Sequence, residues 1–308
     1  MISLIGVPNI DFIGLRKYAF MLSTVLVLLG IFAFVMITLG KAPLGIDFAG
    51  GVMIKGHFAQ PVSIDALRSG LTAEFADATV TELTDFSMPN AFIIKSKRPE
   101  NEATGDLRIK AINGIIEKNF AGNQFTTVSE HSIGPSVGES LKKSAWLAIL
   151  LSIAGILVYI WFRFDFRAGV AAAIATFHDV LAVAGVFYLL GLEFDLLIVS
   201  ALLTLAGYSL TDTVVVYDRI RENTKRYRSK ADFVPTVNRS INETLSRTIN
   251  TSMTVMVVVL TLFLFGGEVL RNFSLALIMG VIVGTYSSIF VASPIIVEWE
   301  ARNPRRFK

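Results

Sequence analysis

Asp212 stands inside an apolar run, in the sequence GYSLTDTVVVYDRI, seven residues ahead of Arg219. If the run crosses a membrane, that spacing puts the carboxyl about 10 Å of helix inside the boundary that the arginine marks. Burying an ionised group at such a depth costs at least about 2.5–3.5 kcal/mol on insertion scales, so an acid kept there points first to function. Burial opposes ionisation and a neighbouring arginine favours it; the balance lets a carboxyl load and release a proton near physiological pH. Arg247 supplies the neighbour. It lies near the start of the fifth apolar run, and antiparallel packing of the fourth and fifth helices brings it within ion-pairing reach of Asp212. Its guanidinium does not titrate usefully, yet it holds a deprotonated carboxylate and is displaced when that carboxylate gains a proton. Ser209 and Thr211 beside Asp212, with Asn250 and Thr251 one turn from Arg247, are suited to holding water that carries protons.

Each of these residues also has a purely structural reading. Asp212 would then make a passive interhelical hydrogen bond, and Arg247 would be an ordinary positive flank of a span. His178 and Asp179, in AIATFHDVLAV, lie about ten residues into the third apolar run. They fit a relay role or a satisfied polar pair between packed helices, and they rank second because adjacent residues point in different directions on a helix. Asp218, Arg219, Arg221 and Glu222 read as a helix end with local ion pairs. In GIDFAGG, Gly45 to Gly51, the glycines Gly45, Gly50 and Gly51 suggest a tight turn and close backbone approach. Asp47 there bonds nearby amides, with docking against the membrane helices as the functional alternative.

Several chemistries are disfavoured. The chain has no cysteine and 3 histidines, and His57 and His131 fall outside the apolar runs, so no metal site is expected. No nucleophile–base set, phosphate loop or cofactor motif appears, which leaves an enzyme without support; the coupling ion is the only small species expected. The net charge of +3 gives little support to nucleic-acid binding.

The elements that must position these residues are long and apolar. Of 308 residues 53% are hydrophobic, gathered in runs. Spanning a hydrocarbon layer of about 30 Å takes about 20 helical residues. Six stretches qualify: Tyr18 to Leu39, Ala145 to Phe162, Ala168 to Leu190, Leu196 to Tyr217, about Ser246 to Phe265, and Phe273 to Val297 with Pro294 near its end. The fifth must include the polar front Thr248, Asn250, Thr251, Ser252 and Thr254, which is expected to face other helices. Basic residues cluster at Arg16 and Lys17, at Arg163 and Arg167, from Arg219 to Arg239, and from Arg302 to Lys308. By the positive-inside rule these alternate segments are cytoplasmic. The reading is a cytoplasmic tail over 1–17, a first span over 18–39, an extracytoplasmic domain over 40–140, and five further spans over 141–308. A basic cytoplasmic loop over 218–245 and a cytoplasmic C-terminus complete it.

The exported segment looks folded. Gly45 to Lys55, Ala91 to Lys95 and Gln124 to Ser129 read as strands. Ser63 to Phe75, with Ser63 as N-cap, and about Asp106 to Asn119 read as helices. A small α+β domain follows.

The motifs together resemble the SecF family, the smaller membrane subunits of the SecD–SecF auxiliary complex of bacterial protein export. GIDFAGG after the first span resembles that family's GIDFTGG signature, with Ala49 in place of the usual threonine. VGESLKKSA, FHDV, GYSLTDTVVVYDRIREN and TLSRTINTS resemble the family's sequences at the second to fifth spans, in order. The resemblance implies a polytopic helical protein, half of an RND-type (resistance-nodulation-division) bundle, with a ferredoxin-like extracytoplasmic domain. It also implies a six-helix SecD partner, work beside the SecYEG translocon and its accessory subunits on a translocating polypeptide, and residence in the bacterial inner membrane. Proton-motive force would drive export, with Asp212 as the family's proton-path aspartate and Arg247 as its partner; sodium in place of the proton stays open. A structural subunit whose polar residues only join it to a larger partner is the alternative of a different class. A small-molecule or lipid exporter would be expected to carry two six-helix halves and two exported domains, where this chain has one.

Overall fold

The computed structural model describes residues 8–85, 88–97, 105–226 and 233–303. The tails 1–7 and 304–308, and 227–232 of the basic segment, lie outside the described residues.

Among the described residues six helices are long and apolar enough to cross a membrane. They are α1 (Arg16–Thr38), α5 (Pro135–Arg163), α6 (Phe166–Leu189), α7 (Leu196–Arg226), α8 (Phe233–Phe265) and a composite sixth, α9 (Gly267–Ser287) continued by α10 (Ser293–Arg302). Local chemistry sets their starts. Pro135 sits in the first turn of α5, where its missing N–H is no loss. Asp165 caps α6 by accepting from the Ala168 amide, and Asp195 does the same for the Ile198 amide at 2.9 Å in α7.

Three ends differ from the hydropathy reading. Helix α5 starts ten residues ahead of Ala145, because the polar segment from Pro135 to Ser144 continues the helix out of the apolar layer. The segment expected as a loop over 218–245 is helical to Arg226 and again from Phe233. Ion pairs hold these extensions: Arg219 bonds Glu243 of α8 at 2.7 Å and Glu222 at 2.6 Å, and Arg163 of α5 bonds Asp218 at 2.5 Å. Arg219 thus links two long helices in addition to the local pairing its spacing suggested.

The bundle is held by small residues. A Cβ on Gly30 of α1 would lie 2.3 Å from the Leu181 carbonyl oxygen of α6, and one on Gly185 would lie 2.7 Å from the Gly30 nitrogen. The two backbones therefore touch, which in a lipid-facing bundle supplies the van der Waals contact that the hydrophobic effect does not.

Between α1 and α5 lies a sheet domain. Its order is α2 (Ile46–Ala49), β1 (Gly51–Phe58), α3 (Ile64–Thr72), β2 (Thr79–Asp85), β3 (Met88–Lys97), α4 (Gly105–Asn119) and β4 (Phe125–Ile133). The four strands pair antiparallel in the order β2-β3-β1-β4. From β1 to β4 this is the βαββαβ pattern of a ferredoxin-like domain. Phe58, Phe92, Ile94, Leu67, Leu71, Ile112 and Ile116 fill the space between sheet and helices. The expected strand from Gly45 to Lys55 is corrected: Ile46–Ala49 is a helical turn, and Gly50, at φ +74°, swings the chain into β1. Strand β2 escaped the sequence reading because TVTELTD places few apolar residues in alternation. Ser63 sits at the N-cap of α3, but its side chain makes no capping bond.

Candidate functional site

The middle of the bundle is polar where α6, α7, α8 and α9 converge. Helix α7 passes through it with buried Ser209, Asp212 and Thr213, each within a turn of the next. Helix α6 contributes His178 and Asp179, α8 contributes Thr248 and Ser252, and the sixth span contributes Ser287 and Ser288.

Asp179 is the most enclosed acid among the described residues, at 0% exposure. Its Oδ2 accepts from Ser287 Oγ at 2.6 Å and from Ser209 Oγ, and its Oδ1 faces His178 Nδ1 at 2.8 Å. One carboxyl so joins α6, α7 and the sixth span. His178 and Asp179, expected to diverge, turn toward one another: Nδ1 sits close to its own backbone and reaches the next residue sideways. Among the described residues, His178 Nε2 is buried without a hydrogen-bond partner.

Asp212 lies one turn along α7 from Ser209 and has a different setting. It is 5% exposed, and among the described residues its Oδ2 and Thr248 Oγ1 make no hydrogen bond of full geometry, although Thr248 and Ser288 both stand close enough to hydrogen-bond the carboxyl. The polar and charged groups it faces are Thr248, Arg247 and Ser288. The direct ion pair expected between Asp212 and Arg247 is absent, with no contact within 4.0 Å among the described residues. Helical phase is the reason. Ile241, Leu245, Thr248 and Ser252 form the inward stripe of α8, and Arg247, a step of about 100° from Thr248, is exposed beside Thr251 and Thr254. These threonines bond backward to their own helix, at Arg247 O and Thr251 O. Only part of the polar front of the fifth span therefore faces this chain's other helices; Asn250 is half-buried, with its Oδ1 unpartnered. A row of hydroxyls continues from the site, Tyr208 to Ser252 at 3.1 Å and Ser252 to Thr285 at 2.6 Å.

The sixth span is broken at this level. Ser288–Ala292 forms a π-helical turn, and Pro294 follows, unable to donate to the carbonyl four residues back. Tyr217 of α7 donates to the Ala292 carbonyl at 3.0 Å, and Ser293 Oγ donates to the Ser288 carbonyl at 2.9 Å. Freed backbone groups are thus satisfied inside the bundle. Wide turns of this kind recur at working sites, and this one carries Ser288 against Asp212.

The GIDFAGG segment docks at the other end of α7. Asp47 Oδ2 accepts from the Leu196 amide at 3.0 Å, and the Gly45 amide donates to the Phe194 carbonyl at 2.8 Å. A Cβ on Gly45 would lie 2.9 Å from Asp195 Cβ, so only glycine lets the segment this close. Burial pushes the Asp195 carboxyl up from the ordinary aspartate range, and the Ile198 amide and Lys95 pull it partly back. Lys95 of β3 also bonds Glu193 at 3.3 Å, a second tie from the sheet to the α6–α7 turn.

Comparison with known proteins sets the family. A family model described as "Protein export membrane protein SecD/SecF, C-terminal" matches residues 115–302. The protein translocase subunit SecF of Thermodesulfovibrio yellowstonii is 48% identical over 96% of this chain and 97% of its own. The chain belongs to the SecF family. The SecF of Rhodothermus marinus is 42% identical over 97% of this chain and 96% of its own length. The crystal structure of SecDF from Thermus thermophilus, a translocon-associated membrane protein, superposes with a TM-score of 0.78 at 36% identity. It covers 96% of this chain, which spans 39% of that longer chain. As a SecF-family protein the chain is a multi-pass membrane protein with a role in protein translocation, a translocase subunit rather than an enzyme.

Among the residues singled out in the sequence, the structure brings Asp212 together with Thr248 and Ser288, and Asp179 with His178, Ser209 and Ser287. It leaves Arg247 and Thr251 on an outer face. Ser287, Ser288 and Thr248 were not prominent as site residues, because serine and threonine in an apolar span are common and only their convergence on an acid marks them. Among the described residues no group of three or more histidine, cysteine or acidic side chains suits a metal ion.

Proposed function

We propose that the chain pairs with a SecD six-helix half beside the SecYEG translocon of a bacterial inner membrane. There it uses proton-motive force to promote movement of a polypeptide, with Asp212 as the proton-carrying group. Both termini are then cytoplasmic and the sheet domain is on the export side. The observation that carries the reading is the Asp212 carboxyl, enclosed in the bundle with one oxygen short of a full hydrogen bond, one turn from an acid whose oxygens are both engaged. An open acceptor in that place is costly to keep unless it takes up a proton or water.

The outward face of α8 supports the SecD partner. Arg247 is exposed on α8 where lipid would offer its guanidinium no hydrogen bonds, so a second polar-faced bundle is expected to cover it. Closing that interface brings Arg247 into play. Proton uptake at Asp212 then weakens its hold on the guanidinium, shifting α8 against α7 between two arrangements. Helix α7 transmits the shift: its start is bonded to Asp47, about 24 Å of helix from Asp212. The sheet domain therefore moves with the helix that carries the acid.

The test uses the assembled complex in inverted membrane vesicles. Asp212→Asn is expected to assemble normally and to lose the gradient-dependent part of translocation. Full gradient-dependent translocation by that variant sinks the relay role, and reduced recovery of the complex with intact ion flux supports the purely structural subunit instead. Collapsing the proton gradient and the sodium gradient separately decides the coupling ion.

A further inference from the structure

Helices α1 and α6 touch backbone to backbone through Gly30 and Gly185, whereas α5 packs on α6 through Ile160, against Gly169 at the end away from the sheet domain. Its bridge to α1 is the edge-to-face contact of Trp146 with Phe34, ring centres 5.1 Å apart. Between α1, α5, α6 and α7 this leaves a crevice of about 250 Å³ with almost wholly apolar walls. Dry voids forfeit dispersion contact on every wall, so a groove of this kind open to a bilayer is filled by what the bilayer supplies.

Two features narrow the occupant. The first is length. Lys142 and Leu157, both on α5, both line the crevice, and about 22 Å of helix separates them. That exceeds the roughly 15 Å of one leaflet's hydrocarbon, half of the full layer. A single extended acyl chain fits such a slot, whereas a further helix, about 10 Å across with its side chains, does not.

The second is charge. Lys142 lies at the end of the crevice nearest the sheet domain, one turn above Trp146 on the same face of α5. Its neighbour Lys143 is committed to Glu139 at 2.8 Å. Lys142 is half-buried, and among the described residues it has no carboxylate within 4.0 Å. A lysine over a tryptophan at the rim of an apolar slot matches the phosphate and acyl chain of one lipid molecule. From these contacts we infer that the crevice is a binding site for an anionic glycerophospholipid of the leaflet next to the sheet domain. One acyl chain runs along α5 and the phosphate rests on Lys142. The site is separate from the polar face of α8, and it stands whether or not Asp212 carries protons.

Native mass spectrometry of the full chain tests this, with phosphatidylglycerol and phosphatidylcholine of identical acyl chains added in equal amounts. Phosphatidylglycerol is expected to be retained about fivefold over phosphatidylcholine, the increment of one lysine at an anionic surface. Lys142→Gln is expected to abolish the preference, and Ala173→Phe with Ala184→Phe, which fill the slot, to lower retention of both lipids. Equal retention by the unchanged chain, or a preference that survives Lys142→Gln, overturns the assignment. A readout free of the filling variants uses a chain with Trp161→Phe and Trp299→Phe. In it, phosphatidylglycerol brominated on its acyl chain is expected to quench Trp146 more strongly than equally brominated phosphatidylcholine; equal quenching contradicts the site.

Discussion

Asp179 and Asp212 are two buried acids in one bundle, bound to the same stretch of α7, and they are treated in opposite ways. Asp179 has both oxygens engaged, by Ser209, Ser287 and His178, and joins three helices. Asp212 keeps an oxygen enclosed and short of a full hydrogen bond, faces the hydroxyls of Thr248 and Ser288, and sits against the π-helical turn. A carboxyl whose contacts are complete resists change, because any new state must break them. One left open changes state at little cost to its surroundings. In the proposed reading the bundle fixes α7 with one acid and leaves the other able to respond, and the fixed point lies on the sheet-domain side of the responsive one.

Substitutions break this contrast in a graded way. The largest effect is expected from Asp212→Asn, which should reduce gradient-dependent translocation in vesicles to the level of membranes lacking the subunit while moving the unfolding midpoint little. Asp179→Leu should do the reverse to stability. Losing two interhelical contacts at about 0.6 kcal/mol each lowers it by about 1.2 kcal/mol, measured by denaturant titration of the chain in mixed micelles. Asp47→Ala removes a cap on α7, expected to cost about 1 kcal/mol. Because it also unties the sheet domain, crosslinking between β3 and the α6–α7 turn should fall while Asp212 keeps its setting. Ser287→Ala, deleting one of the Asp179 contacts, should cost only about 0.6 kcal/mol. If Asp179→Leu proved as mild as Ser287→Ala, the two acids would no longer differ in kind.

Much of this was legible in the sequence. Apolar runs of spanning length and the placement of basic residues marked six helices, and Asp212 stood out because a membrane carboxylate is expensive. GIDFAGG was recognisable as a turn, but its bond to α7 was not, since Asp47 and Leu196 are brought together only by the return of the chain through α6. The polar front of α8 is expected to face other helices, and helical phase turns Thr251 and Thr254 outward. Asp179 ranks below Asp212 in the sequence because adjacent helical residues diverge; Ser209 and Ser287, which engage it, lie on other helices, and ordinary serines carry no mark of the acid they meet. The π-helical turn had only Pro294 as a signal, and a proline near a span's end is compatible with a plain helix.

The most direct test of the contrast follows the two carboxyls themselves. Isotope-edited infrared spectroscopy of the complex in lipid, with Asp212→Asn and Asp179→Asn to assign the bands, reads the protonation of each acid as pH is varied across the physiological range. The predicted result is a carboxyl band belonging to Asp212 that appears and disappears reversibly over that range, with the Asp179 signal unchanged. A band from Asp212 that stays constant throughout, or one from Asp179 that titrates in its place, would contradict the assignment of the working proton to Asp212.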